Sequence, residues 1–523
     1  EREREYERCM AAAVQAIDPA TLKPQDRISL ELLRDKFETA VERQRYPDSD
    51  ALILTTLGGL HNIMPRAAQV TPFKAADDYR DYIKRLAAMP RMAEQTIERL
   101  EVGLRNGWLS PTPVLDRVVA AIDSHLVERI DDSILLAPFK RIADGVPEGE
   151  RAALVQAARR AVEVDYQPAL RRFKTFIVST YRPKAPAEGG LAGLPGGSAF
   201  YEYRIRSGIG RDLDAAAIHA LGLAEVKRVR DEIAQIAKRA GFAGSTDVFI
   251  RHLSTDPKFF FTSSEQLLAA YRAMAPRVDP QLPKLFHAVP RMPYAIRGMT
   301  PSEAASSTAA NYTVGSLERG TSAYFTINAL GHASEATWRV ETLFLHETVP
   351  GHHLQIARAA ELDGLSAWRR LTGGNVAYTE GWALYAETLG FGLGLFQDPY
   401  QHYGHLQAEL FRAARLVVDT GIHAYRWSRE RSVAYMTEQA GLDPAFAVSE
   451  VDRYASNPTQ ALGYLMGKRK ILELRARAER ALGPRFDLRD FHAVLIDNGA
   501  MPLSVLESVV TRWIAEKQGG RGG

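Results

Sequence analysis

The helical period of this chain constrains its fold more than any other feature. Over most of its 523 residues, apolar side chains recur three and four positions apart, the spacing that gathers them on one face of an α-helix. Residues 26–45, DRISLELLRDKFETAVERQR, open on Asp26 and set Ile28, Leu30, Leu32, Leu33 and Phe37 at such positions. Similar patterns cover 75–105, 112–130, 150–180, 212–240, 244–254 and 263–276. The Pro- and Gly-rich segment 181–199 reads as a loop and a boundary. Between 281 and 336 the period is lost: prolines at 283, 290, 293 and 301 break helices, and SAYFTINA (322–329) alternates as a strand does. Helical spacing resumes at 337 and holds to 517. The expectation is a mainly α protein in three parts: an N-terminal helical region (1–180), a helical region with a loop and a small β insert (181–336), and a C-terminal helical region (337–523).

Charge excludes some partners. With 66 basic against 63 acidic residues the net charge is +3, too small to argue for nucleic acid. The single cysteine, Cys9, excludes an internal disulfide and a cysteine-based zinc knuckle. No apolar run reaches the length of a membrane span. Glu1-Arg2-Glu3-Arg4 is already in helical pattern, which points to a start inside a longer gene product, so exported and cytoplasmic locations both fit.

The chemistry is densest at V-E-T-L-F-L-H-E-T-V-P-G-H-H-L-Q, residues 340–355. In the zinc-binding pattern H-E-x-x-H, two histidines four apart share a helix face and the glutamate between reaches the metal's water. Here position 350 is proline. On an unbroken helix His352 points about 120° away from His346, and His353 returns to the face about 10 Å along the axis. Pro350 denies the carbonyl of His346 its hydrogen bond, and Gly351 opens backbone angles closed to other residues. A two-residue bulge there brings His352 to the missing ligand position, with His353 as the fallback. The same residues also fit a polar helix end with Pro-Gly as its stop signal. The buried setting implied by Leu343-Phe344-Leu345 favours a metal, since buried ionisable groups need partners or a role.

A third ligand is expected from another helix. NVAYTEGWALYAETLG (375–390) carries Glu380 and Glu387 seven apart on one face of an otherwise apolar pattern. Glu380 suits the third ligand position and Glu387 a carboxylate that orients a ligand imidazole. Asp419 and His423, four apart, are candidates for orienting a ligand and touching substrate. Gln460, Tyr464 and Lys468 share one helical face. The strand 322–329 offers an edge for an extended peptide, with Asn328 able to hold a carbonyl. Phe200, Tyr201 and Tyr203 fit a cleft wall or a core, and His61 and His332 read as incidental.

The stretches HETVPGHHLQ (346–355), TEGWALYAE (379–387), DTGIHAYRWS (419–428), NPTQALGYLMGK (457–468) and DNGAMPLSVL (497–506) resemble the bacterial proteins grouped as domain of unknown function 885, and HALGLAEV (219–226) looks like a further family stretch. The resemblance covers about residues 195–518, and the start of the family pattern looks absent. The family in turn looks similar to the thimet-oligopeptidase and carboxypeptidase Taq zinc peptidases. That likeness implies a large helical fold with a deep cleft and the small β insert just before the metal-binding helix. It also implies His346, His352 and Glu380 as ligands to one Zn2+ per chain, Glu347 as base, and Tyr464 as donor to the developing oxyanion. The function expected is a zinc-dependent peptidase acting on short peptides. Two alternatives stay open: a metal-dependent esterase or amidase on non-peptide substrates, and a non-catalytic helical peptide-binding protein.

Overall fold

A computed structural model describes residues 1–56, 58–300, 303–304, 310–317, 320–371 and 375–519. The molecule is mainly helical, with one three-stranded sheet among the described residues. Proline and acidic caps start many of its helices. Pro24 opens the helix Pro24–Arg43, which buries Ile28, Leu30, Leu32 and Phe37. The expected long pattern at 75–105 is two helices, Ala76–Ala87 and Met89–Asn106, because Pro90 stands in the first turn of the second and cannot continue the first. The 150–180 pattern is one helical run from Glu148 to Tyr181 that widens into π turns at Ala161–Tyr166 and Ile177–Tyr181.

Apolar residues between Leu54 and Tyr181 enclose a core of their own. The larger core gathers Ile28 and Leu32 with residues from Phe200 to Ile514. Phe200, Tyr201 and Tyr203 belong to that core. At its centre lies the helix Pro399–His423, capped by the Asp398 carboxylate and buried almost continuously from Tyr403 to His423. Against it packs Ala215–Arg239, capped by Asp214 and burying Ile218, Gly222, Val226, Val229, Ile233 and Ile236. The helices Val376–Leu389 and Gly463–Leu482 cross at Gly381 and Gly467, where a Cβ on Gly381 would lie 2.5 Å from the Gly467 Cα. Only hydrogen at both positions lets the two backbones meet so closely.

Strands β1 (Tyr294–Gly298), β2 (Asn311–Thr313) and β3 (Ala323–Ile327) form a sheet in the order β1-β3-β2. β1 runs parallel to β3, from Tyr294 beside Ala323 to Gly298 beside Ile327, and β2 runs antiparallel to it. This corrects the expectation of a free edge on the 322–329 strand: β3 is paired on both sides. The Asn328 side-chain oxygen accepts from the Gly331 N–H and caps the following turn. Among the described residues no helix is long and apolar enough to cross a membrane.

Candidate metal centre

The helix carrying His346 runs from Val340 to Glu347 and stops. Its last bond is from the Thr348 N–H to the Phe344 carbonyl. A new helix, His352–Ala360, then begins, with the His353 N–H donating back to the Thr348 carbonyl at 3.0 Å. The Trp382 indole N–H donates to the Pro350 carbonyl at 2.9 Å, tying this break to the Glu380 helix. Gly351 has φ −79°, an ordinary value, so left-handed freedom is not why glycine stands there. The reason is space: a Cβ at 351 would collide with the carbonyl oxygens of Leu345 and His346.

The break turns His352 back towards His346. Their ring centroids lie 4.8 Å apart at 83°. Glu380, from the crossing helix Val376–Leu389, sets its Oε2 3.6 Å from His346 Nε2 and 3.4 Å from His352 Nε2. An ion bound tetrahedrally at 2.0–2.1 Å separates its ligand atoms by about 3.3–3.4 Å, so the spacing fits a single small cation. The Glu380 Oε2 is buried and has no hydrogen-bond partner among the described residues, a costly state unless a cation meets it. A second grouping of possible ligands, His287 with Asp487 and Asp490, lies nearer the surface. Its carboxylates already pair with Arg489 and Lys517.

Electrostatics agree with the geometry. Burial opposes charging of the Glu380 carboxyl, yet His352 and His346 outweigh it and hold the group well below the usual range. Burial likewise opposes a charged His346, while Glu380 and Glu387 raise it to about 9. Glu387 is fully buried and receives His346 Nδ1 at 2.8 Å, which fixes the imidazole and leaves Nε2 facing Glu380. Glu347 follows His346 directly, and its burial raises its carboxyl pKa despite His352 and His346.

Other sequence candidates separate. His353 turns away: its ring lies 4.8 Å from that of Tyr294 and its Nδ1 3.2 Å from the Tyr312 hydroxyl, and burial lowers it to about 4. The fallback ligand is therefore excluded by geometry. Tyr464 is half-buried, and its phenol is raised by burial and by the charge of Glu380. Gln460 accepts from the Arg453 guanidinium. The Lys468 ammonium is buried and pairs with Glu409 at 3.0 Å. Asp419 does not orient a ligand imidazole, since it accepts from the Tyr201 hydroxyl at 2.6 Å and the Thr459 N–H at 3.2 Å. His423 is likewise spent on structure, between the Leu191 N–H and the Tyr454 carbonyl.

Sequence reasoning missed a polar stripe on the central helix. His405, Glu409, Arg412, Arg415, Asp419 and His423 follow one another at spacings of three and four, so one face of a buried helix is ionisable throughout. That period was present in the sequence. It went unread because only its last two members stood in a recognised stretch.

No curated protein matches this chain. A candidate lipoprotein from Colwellia psychrerythraea has a similar crystal structure, with TM-score 0.90 and 27% identity over 98% of this chain and 90% of that one. A candidate lipoprotein of unknown function from Shewanella oneidensis matches with TM-score 0.71 and 18% identity over 98% and 92% of the two chains, a likeness of fold. The family model of a bacterial protein of unknown function, DUF885, matches residues 1–510, a longer stretch than the 195–518 expected from the motifs. The chain belongs to this bacterial family of unknown function, DUF885.

Proposed function

We propose that the protein is a zinc-dependent hydrolase of amide bonds in short peptides. The observation that carries this reading is the convergence of His346 Nε2, His352 Nε2 and Glu380 Oε2 within 4.8 Å of one another, with the raised carboxyl of Glu347 beside them. Two imidazoles and one carboxylate are a donor set that zinc accepts while keeping a position for water or substrate. Bound there, the ion would supply Lewis acidity and make a water more acidic. The remaining work falls to the chain. Glu347, made more basic by burial, takes the proton of the attacking water and returns it to the leaving nitrogen. Glu387 keeps the His346 ring in one orientation and one tautomer. Tyr464 donates a hydrogen bond from its hydroxyl to the oxygen on which negative charge develops.

The test pairs elemental analysis with turnover on a short-peptide library, using protein purified without chelator or affinity metal. One zinc per chain and hydrolysis are expected. Glu347→Gln should keep the metal and lose about 10²–10⁴-fold in kcat. Full turnover by Glu347→Gln, or hydrolysis of simple esters with no peptide cleaved, would contradict the reading.

A further inference from the structure

Much of the polar stripe on the central helix is paired, while buried nitrogens of His405, Arg412 and Arg415 have no partner among the described residues. Glu409 is held by Lys468 at 3.0 Å and by Arg228 at 2.7 Å. Asp419 and His423 have the partners given above. Arg412 and Arg415 differ. Among the described residues Arg412 makes one hydrogen bond, to the Ala408 carbonyl of its own helix; its Nε is buried without a partner there, and a carboxylate oxygen of Glu387 is 3.9 Å away. Arg415, with a side chain only 7% exposed, bonds Glu450 and the Tyr454 hydroxyl, yet one terminal nitrogen is buried and unpartnered. Glu450 also serves Arg453 at 2.8 Å, so one carboxylate answers two guanidiniums. Glu387 receives His346 with one oxygen, and its other is buried without a partner among the described residues. The guanidinium groups with unpartnered nitrogens sit against Tyr464: that of Arg415 is 4.4 Å and that of Arg412 5.9 Å from the ring centroid.

Buried guanidinium N–H groups without acceptors are costly, and planar guanidinium forks match carboxylates. We infer that Arg412 and Arg415 form an anion subsite that receives a substrate carboxylate one residue beyond the scissile amide. This names the substrate class of the site proposed above and rests on that reading. The carboxylate can be a free chain terminus or an acidic side chain next to it.

Calorimetric titration of metal-loaded Glu347→Gln protein tests the inference without turnover. The probes are N-acetyl-alanyl-alanine, its C-terminal amide, and N-acetyl-alanyl-aspartic acid amide. At least one carboxylate probe should bind about tenfold or more tighter than the neutral amide, the effect of a hydrogen bond to a charged group. Whichever binds identifies the source. Adding Arg412→Gln should bring that ratio close to one in protein that keeps its metal and its thermal transition; Arg412→Lys should restore part of it. Equal binding of acid and amide probes, no binding of any probe, or a preference that survives Arg412→Gln would overturn the subsite. A carboxylate preference in a protein that hydrolyses no peptide would leave the subsite standing and remove the peptidase.

Discussion

His352 and His353 are neighbours of the same type, and only one faces Glu380. The difference lies in where the second helix begins. With His352 as its first residue, Nε2 turns to Glu380 at 3.4 Å, while His353 falls between Tyr294 and Tyr312. His346→Ala, His352→Ala and Glu380→Ala should each abolish stoichiometric zinc, and His353→Ala should retain it, as read by elemental analysis. Glu387→Ala should weaken zinc affinity about 10–100-fold, measured by competition with a chelator, because it frees the His346 ring. The set His346, Glu347, His352, Glu380 and Glu387 was legible because ionisable residues stood inside apolar runs. The identity of the second histidine was open, since i+6 and i+7 are both wrong for an unbroken helix. Arg412 and Arg415 were not legible: an arginine in a helix is ordinary until its burial is known.

At the scale of elements, the site depends on two backbones in contact. Gly381, next to Glu380, meets Gly467, and a Cβ on Gly467 would collide with the Ala377 carbonyl. Gly467→Ala should therefore destabilise the protein by about 1–3 kcal/mol, the cost of overpacking, visible as a lower Tm. It should also weaken zinc binding, because a shift of the Glu380 helix moves Glu380 relative to His346 and His352. An unchanged Tm would show that the helices separate freely. Sequence periodicity located these helices well, because a buried face repeats every three to four residues. It could not give the sheet order: β2 is three residues long and pairs with a later strand, and strand pairing is a non-local fact that alternation does not encode. The free edge expected of residues 322–329 failed for that reason.

For the whole molecule, buried neutral histidines contribute to the response to acid. His492 is enclosed between the Tyr385 hydroxyl and the Leu285 carbonyl, and burial lowers it to about 4. An unfolded imidazole titrates near 6.5, so between these values the unfolded state binds more protons. The contribution is full above about pH 6.5 and is lost as pH falls towards 4, about 2 kcal/mol of it between pH 7 and 5. Asp419 acts oppositely: burial raises it from 3.8 to about 7, so its contribution is present below the lower value and lost as pH rises through the upper one. Urea unfolding at pH 7 and 5 should show a smaller loss on acidification in His492→Gln than in the native chain; equal losses would contradict the assignment. The proposed activity depends on one cation that His346, His352 and Glu380, from three helical segments, would hold. Anomalous diffraction at the zinc edge, on crystals of the zinc-loaded protein, tests this most directly. The account predicts one full peak bonded to His346 Nε2, His352 Nε2 and Glu380 Oε2, and a peak at His353, a peak away from Glu380, or no peak would contradict it.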